Sequence, residues 1–360
     1  MANQTTFNAD DLVRPNIRKL IPYRSARDDF KEGVLLDANE NPFQNPAGSE
    51  IDLNRYPDPH HTSLKAKLAP IKGVKPDQIF LGVGSDEAID LVFRIFCRPG
   101  IDNVIITPPT YGMYEVSATI NDVEVRSVLL TPDCELNADD VLEKVDANTK
   151  AIFLCSPNNP TGNDLNPEEI EKILASFNGI VIVDEAYIDF ADRLSWNHRL
   201  KDFPNLMILQ TFSKAFGLAG LRVGMAFANA PIISWFMRVK SPYNLNKISL
   251  QLAEKALEKV HLVSNNVVLL LQERARLESY LLTKKEVEKC WKSDANFLLF
   301  RIPNAYEIYQ QLAKLGIIIR YRGNMPHCEN SLRLTIGTPD ENNQFMAAFD
   351  KCVLEFEQKH

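Results

Sequence analysis

Short apolar runs, each closed by glycine, proline or a charged group, recur between about residue 56 and residue 242. QIFLGVGS (78–85), NVIITPPTYG (103–112), VEVRSVLL (123–130), KAIFLCSPNNPTG (150–162), GIVIVDEAY (179–187) and NLMILQTFSK (205–214) have this form. It is the pattern of strands, several of them apolar throughout and so suited to burial on both faces. Between some of them lie segments with helical spacing: SDEAIDLVFRIF (85–96), NADDVLEKV (137–145) and NPEEIEKILASF (166–177). The last two open on an asparagine able to cap a helix N-terminus. The alternation predicts an α/β fold, a large domain with a mostly parallel sheet covered by helices. Ligands of such sheets sit beyond the carboxyl ends of the strands.

After Pro242 the pattern changes. One long helical run over about 247–286 is followed by a strand NFLLFRI (296–302), a helix over 305–316, strands IIIRYR (317–322) and LRLTIG (332–337), and a final helix. This predicts a smaller α/β domain. The first fifty residues, rich in proline and asparagine, are too irregular to fold alone. The expected organisation is an N-terminal segment, 1–50, packed on the small domain or on a partner subunit. A large domain over 51–245 and a small C-terminal domain over 246–360 complete it.

Composition narrows the function classes. At 360 residues, with 45% hydrophobic and 24% charged, the chain has the make-up of a soluble globular protein large enough for two domains. A net charge of −7 argues against nucleic-acid binding, which relies on lysine and arginine to neutralise phosphates. It leaves room for a local basic pocket. No apolar run is long enough to span a bilayer, and the N-terminal stretch lacks the apolar core of a signal peptide. A cytoplasmic protein with no membrane partner is expected. Cys97, Cys134, Cys155, Cys290, Cys328 and Cys352 form no CxxC pair, and neither they nor the histidines have metal-ligand spacing. Reduced thiols and no metal are expected.

The candidate chemistry sits at strand exits. Asp184 follows GIVIV, Lys214 follows LMILQTFS, and Asn159 follows AIFLCSPN; neighbouring strand ends would bring them to one cleft. Lys214 stands in TFSKAFGLAGLRVG (211–224), where small residues leave room around it. An enclosed lysine amine loses proton affinity and can attack an aldehyde. Thr211, Ser213 and Arg222 offer hydroxyls and a guanidinium to a phosphate. Gly84, Ser85 and Asp86, at the start of a predicted helix, offer backbone N–H groups to the same kind of anion. GVGSDE is not a full GxGxxG, which disfavours a nicotinamide dehydrogenase. The absence of a helix-turn-helix pattern disfavours a non-catalytic DNA-binding regulator.

The motifs SPNNPTG (156–162), DEAY (184–187) and SKAFGLAGLRVG (213–224), with GVGSDE (82–87) before them and LRLTIGTPDEN (332–342) after them, resemble those of the fold-type I pyridoxal-phosphate-dependent aminotransferases. They occur in that family's order over nearly the whole chain. IPYRSARDD (21–29), LLDANENPF (35–43), NRYPDP (54–59) and PPTYGMY (108–114) further resemble the histidinol-phosphate aminotransferase family. Aromatic amino-acid aminotransferases and a phosphate-ester decarboxylase share several of these motifs, so both remain alternatives.

The resemblance implies pyridoxal 5'-phosphate held as a Schiff base on Lys214, which would also shuttle the substrate proton. Asp184 would pair with the ring nitrogen, Tyr187 and Asn159 with the phenolic oxygen, and Tyr111 would stack on the ring. Gly84, Ser85, Asp86, Thr211, Ser213 and Arg222 would hold the phosphate. Tyr56 would reach the phosphate in the partner subunit of a homodimer. Arg333 would bind the substrate anion, aided by Arg320, Tyr23 and Asn159. The implied reaction is a ping-pong transfer between L-glutamate/2-oxoglutarate and imidazole-acetol phosphate/L-histidinol phosphate in histidine biosynthesis. No motif names a residue for the imidazole.

Overall fold

A computed structural model describes residues 7–357, except 31, 44, 47 and 49–51. Its larger sheet has seven strands: β1 (Ile79–Val83), β2 (Asn103–Ile106), β3 (Glu124–Ser127), β4 (Thr149–Cys155), β5 (Ile180–Asp184), β6 (Leu206–Thr211) and β7 (Val223–Ala228), in the order β1-β7-β6-β5-β4-β2-β3. All neighbours are parallel except β7, which runs antiparallel to both β1 and β6.

The apolar runs explain this arrangement. Successive side chains of a strand point to opposite faces, and both faces of the central strands are buried. Ile152, Leu154, Val181 and Val183 enter one core, while Ala151, Phe153, Ile180 and Ile182 enter the other.

Near the N-terminus lie three single turns, α1 (Ala9–Leu12), α2 (Pro15–Arg18) and α3 (Ala26–Asp29). Helices α4 (Thr62–Lys72), α5 (Gly84–Phe96), α6 (Met113–Ile120), α7 (Ala138–Glu143), α8 (Pro167–Ser176) and α9 (Ala230–Val239) cover the large sheet. Asn137 and Asn166 cap α7 and α8 as the sequence predicts, accepting from the N–H groups of Asp139 and Asp140 and of Glu168 respectively. Helix α5 turns Ala88, Ile89, Val92, Phe93 and Phe96 inward, a helical stripe that seats it against β1 and β7.

The predicted single helix over 247–286 is two, α10 (Lys247–Leu257) and α11 (Val260–Leu282). The break serves two cores. Leu250, Ala253 and Leu257 of α10 pack with the large sheet, whereas Leu277 and Leu281 of α11 pack with the small one. The small sheet comprises β8 (Lys289–Cys290), β9 (Phe297–Arg301), β10 (Arg320–Tyr321) and β11 (Ser331–Thr335), antiparallel in the order β10-β11-β9-β8. With α12 (Ala305–Lys314) and α13 (Pro339–Glu357) it encloses its own apolar cluster.

The start of the N-terminal segment docks elsewhere than on the small sheet. Ala9 and Val13 are buried with the outer core of the large sheet, and Phe7, Leu12 and Ile17 pack against it. Trp235 Nε1 donates to Asp10 Oδ1 at 2.7 Å, and Arg14 N donates to Ile95 O at 2.9 Å. Further along, Ile21, Val34, Leu36 and Phe43 are exposed. Residues 1–6, 31, 44, 47 and 49–50 of the expected segment, and 358–360 of the expected C-terminal domain, lie outside the described residues.

Candidate active site

Strands β1, β2, β4, β5 and β6 are mutually parallel, so their carboxyl ends open on one edge of the sheet; β7 begins at that edge, with Arg222 at its head. There a cleft of about 280 Å³ is bounded by the large sheet on one side and by β10 and β11 on the other. Lys214, Asp184, Tyr187, Gly84, Ser85, Asp86, Tyr111, Asn159, Thr211, Ser213, Arg222, Arg320 and Arg333 all line it. Strand exits thus bring together every sequence-predicted site residue except Tyr56 and Tyr23.

One end of the cleft is shaped for an anion. Gly84 and Arg222 both adopt left-handed backbone, with φ of 70° and 55°, and Gly84 N donates to Arg222 O at 2.8 Å. A Cβ on Gly224 would lie 2.1 Å from both Gly84 C and Ser85 N. Only glycine lets the first turn of α5 approach β7 so closely. The N–H groups of that first turn lack intrahelical acceptors by the geometry of any helix start, and the helix dipole adds to their pull on an anion. Thr211, Ser213 and the Arg222 guanidinium complete the cradle. Asp86 steadies it, accepting from Arg222 Nη2 at 3.2 Å and from the Tyr111 hydroxyl at 3.1 Å.

Asp184 is buried at the end of β5. The Tyr114 hydroxyl donates to Oδ2 at 2.7 Å and Ala186 N donates to Oδ1 at 3.1 Å. Burial pushes the carboxyl up from 3.8 to about 6, against the pull of those two bonds. The neighbouring Glu185 points away, held by Arg193, Ser195 and Gln210, which fixes the strand exit that carries Asp184. A buried carboxylate of this kind is matched by a cationic N–H beside it.

Lys214 is half-buried, its Nζ 5.4 Å from the centre of the Tyr187 ring. Burial and the Arg333 charge hold the amine below its usual 10.5, opposed by Asp184 and Asp86. A larger fraction is therefore neutral, and nucleophilic, than for a free lysine. Tyr187 packs edge-on against Phe297 at 5.2 Å. Burial raises its phenol above the ordinary value, so it stays an O–H donor near neutral pH.

From the small sheet, Arg333 lies 5.1 Å over the Phe297 ring and donates through Nη1 to Asn159 Oδ1. Its buried Nε has no hydrogen-bond partner among the described residues. Arg320 is paired directly across the ribbon from it.

Besides Cys155 and Ala186, which line the cleft, Tyr114 and Arg322 were not anticipated from sequence. Tyr114 holds Asp184; the available signal was its place one helical turn after Tyr111 in PPTYGMY. Arg322 lines the cleft, and its signal was two-residue spacing from Arg320. Tyr56 and Tyr23 do not reach the cleft of this chain. Tyr56 is exposed and stacks on Tyr243 at 4.5 Å, and Tyr23 is exposed beside the same tyrosine. No cluster of three or more metal-ligating side chains occurs among the described residues.

An aldehyde-reactive amine, a buried carboxylate, a phosphate-sized cradle and free guanidinium groups in one cleft fit pyridoxal phosphate together with an anionic amine. Comparison with known proteins agrees. Residues 27–349 match the aminotransferase class I and II family. The histidinol-phosphate aminotransferase of Christiangramia forsetii is 51% identical over 353 residues, 97% of this chain and 99% of its own. The solved histidinol-phosphate aminotransferase of Clostridium acetobutylicum superposes with a TM-score of 0.76 at 25% identity, covering 83% of this chain and 90% of that one. The Sinorhizobium meliloti protein of that name, solved in complex with pyridoxal-5'-phosphate, shares the fold with a TM-score of 0.79 at 23% identity, over 85% and 84% of the two chains. The chain belongs to the aminotransferase class I and II family and, within it, to the histidinol-phosphate aminotransferases.

Proposed function

We propose that the chain transfers an amino group from L-glutamate to imidazole-acetol phosphate, giving 2-oxoglutarate and L-histidinol phosphate, with pyridoxal 5'-phosphate as cofactor. The observation that carries this reading is the near full-length identity to histidinol-phosphate aminotransferases in a chain whose cleft keeps Lys214, Asp184 and Arg333 together. That similarity does not favour an aromatic aminotransferase or a phospho-amino-acid decarboxylase.

When bound, the cofactor supplies an aldehyde to capture the amine and a ring to accept the electron pair left by the α-proton. The protein's own residues do the rest. The first turn of α5, with Gly84, Ser85 and Asp86, holds the phosphate together with Thr211, Ser213 and Arg222. Asp184, oriented by Tyr114 and Ala186, would keep the ring nitrogen protonated. Tyr187 and Asn159 would hold the cofactor through its phenolic oxygen, and Tyr111 would pack beside the ring. Lys214 is the one amine among the lining residues, and it takes and returns the α-proton.

Arg333 receives the substrate anion, a carboxylate from glutamate or a phosphate from histidinol phosphate, since a guanidinium pairs bidentately with either; Arg320 extends that site. Arg333→Ala is expected to raise KM for both substrates about 10- to 100-fold. An increase for only one of them contradicts the shared site.

The exposed apolar residues Ile21, Val34, Leu36 and Phe43 fit burial in a homodimer. Tyr56, outside this chain's cleft, is the residue the resemblance assigns to the partner's, and we extend that placement to Tyr23. No helix among the described residues is long and apolar enough to cross a membrane. None of the six cysteines is in a disulfide, which fits the cytoplasm as the compartment.

The test is steady-state turnover of the cofactor-loaded protein with glutamate and imidazole-acetol phosphate, following 2-oxoglutarate. Release of carbon dioxide from a phospho-amino acid, without need of a 2-oxo acid, would identify a decarboxylase instead.

A further inference from the structure

Three guanidinium groups reach the cleft from the small sheet, one more than the motifs assign. Arg320 and Arg333 face each other across β10 and β11. Arg322 continues the ribbon, its N–H donating to Ser331 O at 2.9 Å. Residues two apart on a strand share a face, so Arg322 points to the same side as Arg320, and all three line the cleft.

Among the described residues no carboxylate is paired with them. The charged groups that act on Arg322 are Arg333 and Arg320, with Tyr187 and Cys328 beside it, and burial with those two like charges lowers it to about 10. No carboxylate forms an ion pair with any of the three among the described residues, and the buried Nε atoms of Arg322 and Arg333 have no hydrogen-bond partner there. The cofactor cradle is built differently, because Asp86 already pairs with Arg222. The uncompensated positive charge of the cleft is therefore on the small-sheet side, where the substrate's own charges go.

Both proposed amino donors bring two negative charges: glutamate has two carboxylates, and a phosphate monoester is close to a dianion at neutral pH. An amino acid such as phenylalanine brings one. We propose that Arg322 binds the second negative charge of the substrate and so selects dianionic amino donors over monoanionic ones. This rests on reading the cleft as the substrate site of a transaminase. Backbone bonds of Arg322 to Ser331 and Met325 anchor the residue and leave its side chain to follow the ligand.

The experiment is calorimetric titration of the cofactor-loaded protein, unmodified and as Arg322→Gln, with glutarate and with pentanoate. The two acids have the same carbon count and differ in one carboxylate. The unmodified protein is expected to prefer glutarate. Arg322→Gln is expected to weaken glutarate about 30-fold, the scale of a lost charge-assisted hydrogen bond, and pentanoate less than about 3-fold. Arg322→Lys is expected to recover part of the loss through its point charge.

Equal weakening of both acids, no weakening of either, or an unmodified protein without preference for glutarate would each overturn the inference. The transaminase reading is judged separately, by turnover of the unmodified protein with histidinol phosphate. Absent turnover with an intact glutarate contrast would remove the reading and keep the role of Arg322. Turnover without that contrast would do the reverse.

Discussion

Lys214→Ala is expected to lower turnover about 10⁴-fold or more while the protein still folds. Two functions go with this one amine. In the proposed mechanism it is the nucleophile that would capture the cofactor aldehyde and the base that would move the substrate's α-proton; a positioned acid–base group alone accounts for about 10²- to 10⁴-fold. Stability is expected to change little. Lys214 is only half-buried, its charge sits near that of Arg333, and burial opposes its ionised form. Among the described residues it forms no ion pair, and its charge acts on the buried Asp184 less than burial, the two hydrogen bonds and Asp86 do. Lys214→Arg separates charge from proton transfer, because a guanidinium keeps the charge but does not release a proton near neutral pH; it should be about as inactive as the alanine variant. Turnover, thermal melting and cofactor absorbance measured on the three proteins check this. Near-normal turnover in either variant would remove Lys214 from the role.

The second large effect is at Asp184. An asparagine there keeps the shape but cannot carry the negative charge proposed to hold the ring nitrogen protonated, and turnover is expected to fall about 10²- to 10³-fold, the range for losing one preorganised electrostatic partner. The cofactor-free protein should respond in the opposite sense. Its Asp184 titrates at about 6, above the 3.8 of an ordinary aspartate. Below about pH 4 the carboxyl is protonated in folded and unfolded chains alike, and its stabilising contribution is fully present. Between about pH 4 and 6 the unfolded chain gives up the proton first, so stability falls as pH rises. Above about pH 6 the loss is complete, on the order of 3 kcal/mol for the full shift. Asp184→Asn lacks this loss. Thermal melts of the cofactor-free proteins from pH 4 to 8 should diverge, with the variant the more stable above pH 6. Parallel curves would show that burial does not strain the carboxylate.

Why the chemistry was legible before the fold was known can be said residue by residue. Asp184, Lys214 and Asn159 each end a short apolar run, and parallel strands place such ends on one edge. Local sequence therefore carried a long-range arrangement. The strand β7 was not visible, because VGMAFA follows directly on the glycine-rich Lys214 motif with no intervening helix and runs antiparallel to both neighbours. The break between α10 and α11 was hidden for another reason: ALEKVHLV contains neither glycine nor proline. The chain turns there only because two separate cores need the two halves. The docking of residues 7–17 rests on long-range contacts, Ala9 and Val13 with the core and Asp10 with Trp235 among them, which no local pattern predicts. Arg322 carries in sequence only the hint of its two-residue spacing from Arg320, and the pairing of β10 with β11, continued by its N–H to Ser331 O, is what places it at the cleft.

The most direct test is a half-reaction: the cofactor-loaded protein is mixed with L-histidinol phosphate alone, and its visible absorbance is followed. The band is expected to disappear as imidazole-acetol phosphate is released in equal amount, and 2-oxoglutarate is expected to restore it. A band that persists in the presence of histidinol phosphate would contradict the assigned substrate.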